Sequence, residues 1–246
     1  MHVKNLLLAS TALALLGTAQ PAQAEMYVSV FGGANWLQDS SGAGTTFFDG
    51  KFWNTTTFAR FSTDADTGFV LGGAIGTHLD NWVKGLRAEV EVSYRRHDVG
   101  GRWATSGFFT GLSTGSFSSS GAIHMNQSTF AIMANVWYDF DMNWRIKPYV
   151  GGGVGWARTK VDGAFRTFSG FSTTTAFNRH ENGFAWQLGA GFNYEVQPGV
   201  NVGLGYRYFE GPDVELSFSD GLGAISAPEI ESQNHSLMVN LNVDIN

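Results

Sequence analysis

Residues 85–97 (GLRAEVEVSYRRH) alternate apolar with polar or charged residues along their whole length. Successive side chains of an extended chain point to opposite faces. Leu86, Ala88, Val90, Val92 and Tyr94 therefore share one face, and Arg87, Glu89, Glu91, Ser93 and Arg95 share the other. Residues 183–196, 200–209 and 235–245 repeat the pattern, with Leu188, Phe192, Leu204, Tyr206, Leu237 and Val239 on the apolar side. Less regular stretches at 26–36, 68–79, 127–139 and 146–158 complete a set of eight. Each is longer than the ~5–6 residues usual for a strand in a soluble protein. Each also reaches the ~9–11 residues that a tilted strand needs to cross a bilayer.

The connections fall into two kinds that alternate along the chain. Residues 80–84, 140–145 and 197–199 are short, the last carrying the turn pair Pro198-Gly199. Residues 37–67, 99–126, 159–182 and 211–234 are long and rich in Ser, Thr, Gly and Phe. An up-and-down barrel predicts that alternation, with brief turns on one side of the membrane and extended loops on the other. Long structureless connections inside a compact soluble domain are uncommon.

Alternation by itself also suits a soluble barrel, and three features favour lipid. A strand in hydrocarbon must have every backbone group paired, so spanning strands close into a barrel, for which eight suffice. The apolar faces carry aromatics near their ends, with Trp36, Tyr94, Trp156 and Tyr208 toward the outer side and Tyr138 and Tyr194 toward the inner. That is the pattern of two interfacial girdles. The opposite face mixes charges with glycines, as a narrow polar lumen requires. Glycines in 153–155, 189–191 and 203–205 are expected to leave room there for the long Arg and Glu side chains of the third strand.

The first 24 residues read as a separate segment. Lys4 precedes an apolar run at 6–16, and Ala22 and Ala24 form an A-x-A cleavage site before Glu25, the layout of a secretory signal peptide. The run is shorter than the ~20 residues of a membrane helix. The expected division is a signal peptide over 1–24 and one barrel domain over 25–246.

Composition removes several functions. With no cysteine there is no disulfide, thiolate metal site, Cys nucleophile or lipid-modified Cys. A net charge of −6 gives no reason to expect nucleic acid as a partner. The glycines of 151–155 show no phosphate-binding pattern and precede no helix.

Two constellations remain. Arg87, Glu89, Glu91 and Arg95 share the lumen face of one strand, and Glu195 and Arg207 are expected to join them from neighbouring strands. Charges in a low-dielectric tube need partners. Such a cluster is either a rigid plug of ion pairs or a narrow path whose pairs exchange partners. His97, His124, His180 and His235 are expected on the outer rim, where imidazoles can hold a metal or haem, although no ligand motif links them. The adjacent pairs His235-Ser236 and His97-Asp98 point to opposite faces, so neither makes a catalytic dyad. No cofactor and no enzymatic activity are expected.

The residues resemble the small eight-stranded outer-membrane β-barrel proteins of Gram-negative bacteria, among them the OmpA transmembrane domain, the opacity-type adhesins and the surface antigens of alphaproteobacteria. The resemblance is carried by Ala22 to Ala24 leading into 26–33 (MYVSVFGG), by 135–140 (NVWYDF), by 147–155 (KPYVGGGVG) and by 202–208 (VGLGYRY). It implies an all-β fold, an eight-stranded antiparallel up-and-down transmembrane β-barrel with four long outer loops, in the Gram-negative outer membrane. It further implies insertion by the barrel-assembly machinery, outer-membrane lipid as surroundings, a monomer, and a structural or surface-interaction role with a host or surface ligand held by the loops. The alternatives are a porin-like channel through the charged lumen, or haem or metal binding at the histidine rim.

Overall fold

The computed structural model describes residues 25–37, 41–49, 53–142, 144–169, 171–214, 217–219, 224–226 and 232–245. The proposed leader, with Ala22 and Ala24, lies outside the described residues. Among the described residues the strands in chain order are β1 (Met26–Leu37), β2 (Ser41–Asp49), β3 (Trp53–Ala65), β4 (Gly68–His78), β5 (Leu86–Gly111), β6 (Gly115–Asp139), β7 (Ile146–Ser169), β8 (Phe171–Gln197), β9 (Val200–Glu210), β10 (Ser217–Ser219), β11 (Ala224–Ser226) and β12 (Gln233–Ile245). Among the described residues no helix is long and apolar enough to cross a membrane.

Eight of the strands close a ring in the order β1-β4-β5-β6-β7-β8-β9-β12, and β12 pairs antiparallel with β1 from Met26↔Ile245 to Leu37↔Asn234. Closure removes both sheet edges, so each backbone group in the lipid-facing belt finds a neighbour. The outward face of the ring is apolar and exposed: Val30, Leu71, Ile75, Leu188, Phe192 and Val239 each leave more than half of their surface uncovered. Exposure of that kind over a continuous belt identifies the face that meets lipid. The aromatics expected at the girdles point the same way, with Trp36, Tyr94, Trp156, Tyr138 and Tyr194 all exposed.

Short turns join β4 to β5, β6 to β7 and β8 to β9. Gly85 (φ 81°) and Gly199 (φ 77°) occupy left-handed backbone there, a conformation that a side chain makes costly. Asp80 Oδ1 accepts the Gly85 N–H at 2.7 Å and fixes the first of these turns.

On the opposite side the long connections are largely strand. β5, β6, β7 and β8 run 26, 25, 24 and 27 residues, more than twice what the bilayer needs. The β2–β3 hairpin adds to the outer part of β5 through the register Trp53↔Gly111 to Ala65↔Val99. The Ser/Thr/Gly alternation of these segments offered weak periodicity, but pairing to a neighbour already in register extends a strand at small entropic cost.

The lumen is filled. At its outer end Val99, Ile123, Met125, Val161 and Val214 form an apolar cluster, with Leu37, Trp103 and Phe177 packed against it. Ala131, Met133, Ala157, Ala185 and Phe209 form a second cluster, and Phe31, Val70 and Met238 a third. The expectation that the lumen glycines make room for Arg and Glu is corrected here, since other neighbouring side chains, among them Asn135, Trp137 and Tyr149, take that space. A Cβ at Gly189 would meet Trp137 at 3.1 Å, and one at Gly191 would meet Tyr149 at 2.7 Å.

Candidate functional site

The polar lumen begins with cross-strand neighbours. In the β5–β6 register Arg87 faces Trp137 and Glu89 faces Asn135. Opposed residues on one face of an antiparallel pair approach within ~4.5–5.5 Å, close enough to hydrogen bond. Trp137 Nε1–H donates to Glu89 Oε1 at 2.7 Å, Asn135 Nδ2 donates to the same oxygen at 3.0 Å, and the Tyr27 hydroxyl donates to Glu89 Oε2 at 2.7 Å. Glu89 is thus held by three neutral donors.

Glu91 takes the next level. Its Oε2 accepts from Asn135 Nδ2 at 2.9 Å, from Gln187 Nε2 at 3.2 Å and from Arg207 Nη1 in a direct ion pair. β9 lies four places from β5 in either direction around the eight-membered ring, so the Glu91–Arg207 pair spans the diameter of the barrel. Arg207 is braced by the Phe31 and Trp137 rings, each 5.1 Å from its Cζ. Cation–π contacts of this kind strengthen where water is excluded. Toward the inner mouth Arg87 grips Asp139 with two donors, Nε on Oδ2 and Nη2 on Oδ1.

Arg95 stands apart. Its Nη1 donates to Ser93 Oγ at 2.8 Å and its Cζ lies 3.9 Å from the Phe209 ring centroid. Among the described residues no carboxylate pairs with it, and its Nε and Nη2 have no hydrogen-bond partner.

Five of the six expected cluster residues therefore line the lumen, and Arg87, Glu89, Glu91 and Arg207 share one bonded network. Glu195 is the correction. It sits at the inner mouth beside a β-bulge between Glu195 and Gln197, half-exposed and 3.6 Å from Lys147 Nζ. Glu195 is still in register, opposite Asn201, but it stands eight residues inward of Gln187, the β8 residue that reaches Glu91, so its height on the strand keeps it from the cluster. Tyr27, Asn135, Trp137, Asp139 and Gln187 were missed. The period-2 pattern of 127–139 puts Asn135, Trp137 and Asp139 on one face, and attention to that alternation would have found them.

The histidines do not form a rim site. His97 is buried inside the barrel, 2.8 Å by Nε2 from Asn234 Oδ1 and in contact with Asn35. Its position on the charged face of β5 carries it inward rather than to an outer loop. His124 and His180 are exposed on the outward face, and His235 faces outward against Tyr206, whose hydroxyl lies 2.6 Å from Nδ1. Among the described residues no three metal-ligating side chains come together.

Beyond the membrane belt, β2 and β3 pair onto the outer halves of β5 to β8 and make a continuous sheet platform. A cleft of about 750 Å³ opens on it, lined by Phe58, Arg60, Thr105, Ser106, Ser118 and Ser120 among others. Lys84 in the first inner turn pairs with Asp141 at 2.7 Å, and that hydrogen bond, with the charge of Asp141 next, raises the lysine above its usual range.

Comparison with known proteins agrees with this architecture. Residues 6–242 match the outer membrane protein beta-barrel domain family. Outer membrane protein PagN of Salmonella typhimurium is 31% identical over 85 residues, which are 35% of this chain and 35% of that protein. The match thus spans about a third of that relative's length. The crystal structure of outer membrane protein OprG from Pseudomonas aeruginosa aligns over 90% of this chain and 97% of its own at 13% identity and a TM-score of 0.49. Neisserial surface protein A aligns over 89% of this chain and 97% of its own at 17% identity and a TM-score of 0.43. The chain belongs to the outer membrane protein β-barrel domain family and is a protein of the Gram-negative outer membrane.

Proposed function

We propose that this outer-membrane barrel works as a surface-interaction protein whose platform, not its lumen, meets the ligand. The observation that carries the reading is the length of β5 to β8. At ~3.3 Å per residue, strands of 24–27 residues stand far above a belt that uses ~9–11 of them. The cleft on that extension offers hydroxyls, the Arg60 guanidinium and the Phe58 ring, groups suited to a saccharide carrying negative charge. The protein acts without catalysis, as a monomer in lipid, after cleavage behind Ala24 and insertion by the barrel-assembly machinery. Display of the chain on a non-adherent Gram-negative strain tests the reading. Adhesion to cultured cells is expected, along with its loss when residues 102–121 are replaced by a short Gly-Ser turn. Adhesion that survives that replacement overturns it.

A second reading, a narrow ion path, draws on one further observation. Glu91 Oε1 has no hydrogen-bond partner, and among the described residues no carboxylate is bonded to Arg95, four residues away on the same face. A turn of Glu91 from Arg207 to Arg95 would open the diametral bridge. Its test is conductance of the refolded barrel in a planar bilayer, where openings that change with Glu89→Gln or Glu91→Gln support it and silence from inserted protein ends it.

A further inference from the structure

Arg95 and Gln127 are large buried polar side chains of the lumen that the network around Glu89 and Glu91 leaves incompletely bonded. Arg95 is 0% exposed and Gln127 1% exposed. Four polar atoms on these two side chains, Nε and Nη2 of Arg95 and both amide atoms of Gln127, have no hydrogen-bond partner. In the β5–β6 register Arg95 faces Thr129 and His97 faces Gln127, so Arg95 and Gln127 are diagonal neighbours on the lumen face. Diagonal positions lie ~7–8 Å apart, within reach for long side chains.

The geometry of the guanidinium is specific. Nε–H and Nη2–H form one edge, and the direction that bisects them is opposite to Nη1. Because Nη1 donates to Ser93, two residues toward the inner mouth, the free edge is turned away from Ser93 toward the outer half of the lumen. The same edge on Arg87, eight residues earlier on the same face, holds both oxygens of the Asp139 carboxylate. One strand thus presents two identical forks, and only one has its oxyanion.

Charge accounting points the same way. Arg87 and Arg207 have Asp139 and Glu91 as partners, while Glu89 is held by neutral donors. Glu89 and Arg95 could balance one another only across six residues, or ~20 Å of strand. The carboxylate whose charge does act on Arg95 is Glu91, and it is already bonded to Arg207, so the buried cation is only partly compensated. Arg–carboxylate recognition through two parallel N–H donors is strong as well as directional.

We propose that the Nε–Nη2 edge of Arg95, together with the Gln127 amide, is a binding site for a small monovalent oxyanion of carboxylate or nitrate type. Two oxygens of the anion take the two guanidinium N–H groups, and Gln127 Nε2 donates to one of them. The apolar cluster around Val99, Ile123, Met125, Val161 and Val214 lies on the outer side and keeps water from competing. The ion supplies the counter-charge that the outer half of the lumen lacks, so its capture accompanies folding of the barrel.

The test uses the full mature barrel, ¹⁵N-labelled at arginine and refolded in detergent while formate, and separately nitrate, replaces chloride at constant ionic strength. The Arg95 Nε–H resonance is assigned by its loss in Arg95→Lys or, should that variant not refold, by its contacts with the Phe209 ring. A saturable shift of this resonance is expected with both oxyanions, while the exposed arginines respond linearly or not at all. In Gln127→Leu the same shift should need about fivefold more anion, the effect of one lost hydrogen bond. No saturable shift in correctly folded protein overturns the proposal. So does a resonance that moves on Glu91→Gln in chloride alone and then ignores formate, because the fork then belongs to the Glu91 carboxylate.

Discussion

Arg87 and Arg95 stand on the same face of the same strand, eight residues apart, and meet different fates. Arg87 is opposed by β6 where that strand carries Asn135, Trp137 and Asp139, so its fork closes on a carboxylate and the Tyr27 hydroxyl joins at 3.2 Å. Arg95 is opposed where β6 carries Thr129 and Gln127, and across the lumen it meets the Phe209 ring. Identical residues in identical local patterns became a clamped ion pair in one half of the barrel and a stacked, half-satisfied cation in the other. The partner is set by what neighbouring and opposite strands bring to that height.

The sharpest way to break the contrast is to remove the charge that bridges the inner half. Glu91→Gln leaves Arg207 buried without its carboxylate, and a loss of roughly 3–5 kcal/mol is expected from urea unfolding in lipid vesicles. Arg95→Met, measured the same way in chloride buffer, is expected to fall within about 1 kcal/mol of the native barrel or above it, because it removes a poorly compensated charge while keeping the contact with Phe209. If the two variants lose equal stability, the two halves of the lumen are not distinct.

A smaller effect is expected from Trp137→Phe, which takes a donor from Glu89 and withdraws the distal indole atoms that pack beside Gly189. About 1–3 kcal/mol is the usual cost of leaving a buried acceptor short of a partner. Because the substitution itself removes a tryptophan from the fluorescence signal, hydrogen exchange of the β6 amides is the measurement that checks it.

The smallest effect belongs to the inner turns. Lys84 is fully exposed, and its pairing with Asp141 raises its pKa. A group whose pKa is higher in the folded than in the unfolded chain contributes its stability below the unfolded value and loses it as pH rises through the folded value. The stability difference between native protein and Lys84→Ala should therefore be present at neutral pH, shrink with added salt, and vanish above the lysine range. A difference that persists there would mean that packing, not charge, holds the turn.

Much of the barrel was legible from residue order. Alternation along 85–97 and 183–196 identified the lipid face, and the short connections, with Gly199 behind Pro198, identified the inner turns. The outer halves of β5 to β8 were not legible as strand, because Ser, Thr and Gly on both faces give no apolar period; they are strands through pairing with neighbours already in register. His97 reads as a rim residue when only its distance from the turns is counted, yet parity on β5 sends it into the lumen beside Asn35 and Asn234.

The sequence by itself determined the faces of the regular spanning strands, their number and the membrane they suit, because period 2 follows from backbone geometry at each residue. Only the tertiary structure decided that Arg207 of β9 would reach Glu91 of β5, that Glu195 would stop at the mouth, and that Arg95 would face Phe209. Those outcomes depend on ring closure and on the register stagger between strands, which fix height and opposition across the lumen and leave no trace in the order of residues along one strand.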